Sequence, residues 1–117
     1  MTVYQNILNI ISENKKGLAI LIDPEKFLVS ETRTFLKKIP KDASHIFIGG
    51  STGLEKELEE TVEAVKAESS LPVVLFPGDF SQLTSKADAV LFLSLISGRN
   101  VEYLIDQQIK AVSYLKN

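Results

Sequence analysis

Apolar residues along this chain fall into two alternating kinds of run. One kind is short and unbroken: Leu18 to Ile22, His45 to Ile48, Val73 to Phe76 and Ala89 to Leu95. The other spreads its apolar positions three and four apart, the spacing of one helical face. An opening helix over Val3 to Glu13 carries Ile7, Ile10 and Ile11, and a second, from about Ser30 to Ile39, carries Phe35, Leu36 and Ile39. A longer helix covers Gly53 to Glu68 with Leu54, Leu58, Val62 and Val65, and a short one sits near Ser81 to Ser85. The last spans Val101 to Leu115 with Leu104, Ile105, Ile109 and Val112.

Unbroken apolar runs are expected of parallel strands covered on both faces. Strands alternating with helices argue for βα units with right-handed crossovers. The expected class is therefore α/β: an opening helix and a parallel (β/α)4 unit, in one domain over residues 1–117. Two architectures satisfy it, an open doubly wound sheet or half of a (β/α)8 barrel. A whole barrel takes about 250 residues.

Each apolar run ends in residues that make poor core. The first stops at Asp23-Pro24, the second at Gly49-Gly50-Ser51, the third at Pro77-Gly78-Asp79. The fourth reaches Ser94 and then Ser97-Gly98-Arg99-Asn100. Parallel α/β proteins bind ligands at this carboxyl edge. Each string also has a plain structural reading. Asp23 before Pro24 can cap a turn, Ser51 or Thr52 can cap the next helix, and Pro77-Gly78 is a common turn pair. His45, with no second histidine in the chain, is read as structural.

Composition narrows the chemistry. A formal charge of −2 and the absence of cysteine offer no basic nucleic-acid surface and no thiol chemistry. Polar residues interrupt the opening stretch throughout and leave no unbroken apolar core, unlike a signal peptide, and no run approaches the roughly 20 apolar residues of a membrane span. A soluble, cytoplasmic protein is expected. One carboxylate and one hydroxyl are hard oxygen ligands suited to Mg2+ that leans on substrate phosphates. Glycine amides and Arg99 would add anion contacts.

Four strings occur in order, one per strand: LAILIDPEK, HIFIGGS, PVVLFPGD and ADAVLFLSLISGRNVEYLI. Together, over about Gly17 to Ile105, the chain resembles the geranylgeranylglyceryl phosphate synthase family, which includes the bacterial PcrB proteins. The resemblance implies a (β/α)8 barrel that transfers a prenyl group from a prenyl diphosphate to sn-glycerol 1-phosphate. It implies Mg2+ held by Asp23 and Ser51, with Gly49, Gly50, Gly78, Arg99 and Asn100 around the substrate. No residue here is assigned as catalytic, because the family builds its acidic catalytic residue and its glycerol-phosphate site from the second half of the barrel. Some members carry a lysine where Leu21 stands, and the family usually reads Pro, Gly and His where Val101, Asp106 and Gln108 stand. The expectation is a truncated prenyltransferase, inactive alone, that self-associates through open sheet edges. The alternative is a non-catalytic module binding a phosphate or a partner protein at the same strand ends.

Overall fold

The structure, a computed structural model, describes residues 2–49, 55–76 and 83–91. Helix α1 (Val3–Ser12) opens with a reciprocal cap: Thr2 Oγ1 accepts the Gln5 amide at 3.1 Å and Gln5 Oε1 accepts the Thr2 amide at 3.0 Å. It ends at Asn14, whose φ of 56° turns the chain left-handed. The Asn14 and Lys15 amides then donate to the Ile11 and Ile10 carbonyls, each at 3.0 Å. Strand β1 (Ala19–Ile22) follows, then a 3₁₀ turn (Val29–Glu31), helix α2 (Thr32–Lys38), strand β2 (His45–Ile48), helix α3 (Glu55–Glu68), strand β3 (Val73–Leu75) and strand β4 (Ala89–Val90).

All pairings are parallel, in the order β1-β2-β3-β4. Ile20 aligns with Ile46 and Val73, and Ile22 aligns with Ile48 and Leu75. These residues share a face with period two. Against that face pack Leu58, Val62 and Val65 of α3 and Phe35 and Leu36 of α2. Ile46, Ile48, Val62, Val65 and Val73 are wholly buried. The two helices are tied outside the core by a bidentate pair, Arg33 to Glu68, with both bonds at 3.1 Å. Hydrogen bonding and charge from Glu68 raise the Arg33 pKa, and those from Arg33 lower that of Glu68.

The opposite face departs from the expectation of two covered sides. Leu21, aligned with Phe47 and Val74, is 60% exposed at the edge strand. The exposure is greatest at that edge, since Val74 in the same row is 2% exposed, and towards its amino-terminal end the face is roofed. There α1 lies over a cavity of about 230 Å³ lined by Ile7, Ile10, Ile11, Ala19, His45 and Phe47, among others. A barrel strand explains both facts: its inner face is made for side chains from across the barrel, not for a helix.

The expected short helix at Ser81 to Ser85 is not helical where it is described. Leu83 and Thr84 form no helix, and a turn begins at Ser85. Thr84 Oγ1 donates to Glu59 at 3.0 Å and accepts the Lys86 amide at 3.3 Å, a local side-chain bond that competes with helical pairing. Leu83 drops into the core, 3% exposed. Lys86 pairs with Glu63 and Glu59, fastening the approach to β4 onto α3. The strand-four residues after Leu91 and the helix read over residues 101–115 lie outside the described residues.

Candidate functional site

Three strand ends come level at the carboxyl edge. The ladder continues one residue beyond β1 to β3: the Gly49 amide donates to the Ile22 carbonyl at 3.0 Å and the Phe76 amide to the Ile48 carbonyl at 2.9 Å. Asp23, Gly49 and Phe76 are therefore neighbours on three adjacent strands. Asp23 and Gly49 were named from sequence, and the structure brings them together. Gly50, Ser51, Gly78, Arg99 and Asn100 lie outside the described residues.

Asp23 is half-buried and engaged on one side only. Its Oδ1 accepts the Glu25 amide at 3.1 Å, and its carbonyl accepts the Lys26 amide at 3.1 Å, closing a turn through Pro24. The capping role expected of an aspartate before proline is thus present. It uses one carboxylate oxygen, and Oδ2 has no partner among the described residues. That free hard oxygen fits a magnesium ion, which commonly takes one or two protein carboxylates and completes its shell with water and substrate phosphate. No cluster of three or more His, Cys, Asp or Glu that could hold a metal ion exists among the described residues.

Gly49 has a conformational reason for being glycine. Its φ is +155°, and a Cβ there would lie 2.1 Å from the Phe76 carbonyl oxygen. The tip of β2 thereby approaches β3 more closely than any side chain permits. Below the rim, Phe47 and Phe76 stack with centroids 6.2 Å apart, on the face that also bears Leu21. An apolar surface thus begins directly under the Asp23 carboxylate.

Beside Asp23 is a cavity of about 170 Å³ lined by Leu21, Ile22, Asp23, Lys26, Phe27 and Phe35. Lys26 was not named as a site residue from sequence. The signal was its position three residues after Asp23 across a proline turn, which folds the two together.

His45 is buried and structural in its contacts. Ser44 Oγ accepts the Leu18 amide at 3.0 Å and lies 3.2 Å from the Leu18 carbonyl, and the histidine's Nδ1 is hydrogen-bonded to the same Oγ at 2.9 Å. Its Nε2 is left buried without a partner among the described residues. Burial lowers the His45 pKa below 6.5 and keeps the ring neutral at neutral pH.

Residues 9–117 match the PcrB family. The geranylgeranylglyceryl phosphate synthase of Zunongwangia profunda is 56% identical over 104 residues, covering 89% of this chain and 44% of that relative. The synthase of Flavobacterium johnsoniae is 47% identical over 116 residues, covering 98% of this chain and 48% of its own length. Among solved structures, the (S)-3-O-geranylgeranylglyceryl phosphate synthase of Thermoplasma acidophilum, in complex with sn-glycerol-1-phosphate, superposes with a TM-score of 0.78 at 31% identity, covering 97% of this chain and 46% of that one. The wild-type enzyme of Thermoplasma volcanium gives a TM-score of 0.83 at 30% identity, over 98% of this chain and 47% of that one. The chain thus spans about half the length of the curated relatives it matches, and its architecture is half of a (β/α)8 barrel rather than an open doubly wound sheet. No helix among the described residues is long and apolar enough to cross a membrane.

Proposed function

This chain belongs to the PcrB family, and from that premise we propose that it carries the metal- and diphosphate-binding half of a cytoplasmic prenyltransferase. The reaction joins a geranylgeranyl group to the 3-hydroxyl of sn-glycerol 1-phosphate in lipid synthesis. The observation that carries this reading is Asp23: a half-buried carboxylate at the tip of edge strand β1, half engaged in its own turn, level with Gly49 and above the apolar face that bears Leu21 and Phe47.

Magnesium, when bound, would neutralise the leaving diphosphate and so favour heterolysis of the allylic C–O bond. Asp23 would hold it through the oxygen its turn leaves unpartnered, and Ser51 is the second ligand implied by the resemblance. The Glu25 amide fixes the Asp23 carboxylate before any ligand arrives, so little ordering remains to be done on binding. Gly49, bare of a side chain, sets the tip of β2 close against β3, and the resemblance implies Gly49, Gly50, Gly78, Arg99 and Asn100 as the contacts around the diphosphate. The prenyl chain would lie along Leu21, Phe47 and Phe76, which keep water from the reacting carbon. There the C–O bond would break with both electrons leaving on the diphosphate, and the glycerol oxygen would attack the same carbon and pass its proton to the released diphosphate or to water.

We further infer that the chain self-associates, because β1 and β4 stand at the edges of the described sheet and Leu21 is exposed beside one of them. The test of the functional reading is calorimetric titration of the chain with geranylgeranyl diphosphate, with and without Mg2+. Saturable binding that needs Mg2+ and disappears in Asp23→Asn is the expected result. Binding that is indifferent to Mg2+ and to Asp23 would favour a non-catalytic phosphate-binding module instead.

A further inference from the structure

The cavity beside Asp23 contains one cation that the reading above does not use. The turn closed by the Lys26 amide on the Asp23 carbonyl brings Lys26 back beside Asp23, and both side chains line the same cavity of about 170 Å³. The segment after it is anchored: Phe27 packs edge-on against Phe35 of α2, with centroids 5.3 Å apart at 84°. Among the described residues the ion pairs engage Lys15, Arg33, Lys56, Lys66 and Lys86. Lys26 pairs with neither Asp23 nor any other described carboxylate. A lysine that lines a cavity together with a carboxylate it does not pair with keeps its charge available for a ligand.

The electrostatics call for such a group. A divalent ion held by a single carboxylate retains about one net positive charge, against a diphosphate carrying more than one negative charge. An ammonium within the same cavity supplies both charge and up to three donors. We propose that Lys26 is a diphosphate contact: its Nζ donates to phosphate oxygens of the ligand held at Asp23. This rests on the functional reading above and adds a residue to that site.

The test is titration of the 117-residue chain with inorganic pyrophosphate in Mg2+, using wild type, Lys26→Gln, Lys26→Arg, Asp23→Asn and, as a surface control, Lys38→Gln, each first checked for native circular dichroism. Charge-assisted hydrogen bonds are strong enough that Lys26→Gln is expected to weaken binding about tenfold or more. Lys26→Arg should keep most of the affinity, and Lys38→Gln should be unchanged. If Lys26→Gln matches Lys38→Gln while Asp23→Asn abolishes binding, the Lys26 contact is wrong and the metal reading stands. If wild type binds no pyrophosphate at all, both fall together. A parallel titration with sn-glycerol 1-phosphate separates the two phosphates: a Lys26→Gln loss confined to that ligand would overturn the assignment to the diphosphate.

Discussion

Asp23 gives one carboxylate oxygen to its turn and keeps the other without a partner among the described residues, and the two roles can be separated by substitution. Asparagine keeps an oxygen to accept the Glu25 amide, so Asp23→Asn should leave the melting temperature nearly unchanged, with a stability change within about 0.5 kcal/mol, while losing Mg2+ dependence. Gly49 allows no such separation. An alanine there would meet the Phe76 carbonyl oxygen at 2.1 Å in a backbone conformation that L-residues rarely adopt, so Gly49→Ala should destabilise by about 2–4 kcal/mol in thermal or urea melts. His45 sets an acid limit. Burial depresses its folded pKa below 6.5, so as pH falls past that value the unfolded chain takes up a proton that the folded chain resists. Stability should therefore be constant above about pH 7 and decline below 6.5, towards the depressed folded value. His45→Gln should flatten that decline. The sequence marks Asp23 and Gly49 as unusual by their place after apolar runs. The opposite is true of Lys26, an ordinary charged residue until the proline turn sets it beside the carboxylate.

At the scale of elements, β4 is short, and one carboxylate does much to place it. Asp88 accepts the Val73 amide at 2.8 Å and the Lys66 ammonium at 2.8 Å, and its own amide returns to the Val73 carbonyl at 2.9 Å. Burial pushes the Asp88 pKa up, but Lys66 and the Val73 amide together outweigh it and hold the group below the usual carboxylate range. Its contribution is therefore present above the ordinary carboxylate pKa and lost as pH falls through the depressed value. Asp88→Ala leaves a strand amide without its acceptor. It should cost about 1–3 kcal/mol and speed hydrogen exchange at Val73. Neither this clip nor the non-helical course of Leu83 and Thr84, inside the helix expected near Ser81 to Ser85, was legible in advance. The first depends on a contact across 15 residues, and in the second the Thr84 side chain outcompetes a weak helical pattern. The longer elements were legible because their signals are local: β2 begins and ends where its apolar run does, and α3 keeps Leu58, Val62 and Val65 on its buried face.

For the whole molecule, an unbroken apolar run cannot distinguish a strand between two helix layers from a barrel strand facing other strands. The likeness to barrel enzymes over half their length decides it, and Leu21, 60% exposed at the β1 edge, fits a strand whose neighbour lies in the other half. That surface predicts concentration-dependent association. Sedimentation of the chain across a dilution series should show a species of twice the 13.0 kDa mass, and Leu21→Asp should shift it to monomer. The same half-barrel brings together the carboxylate, the close-packed glycine tip and the apolar slope beneath them, and that arrangement is the central claim. It is tested most directly by adding Mn2+ as a paramagnetic substitute for magnesium to the isotope-labelled chain with pyrophosphate and recording amide spectra. Broadening centred on Asp23, Glu25 and Gly49, graded away from the rim and absent in Asp23→Asn, is the predicted result. Broadening centred instead on the acidic surface of α3, or none at any residue, would contradict it.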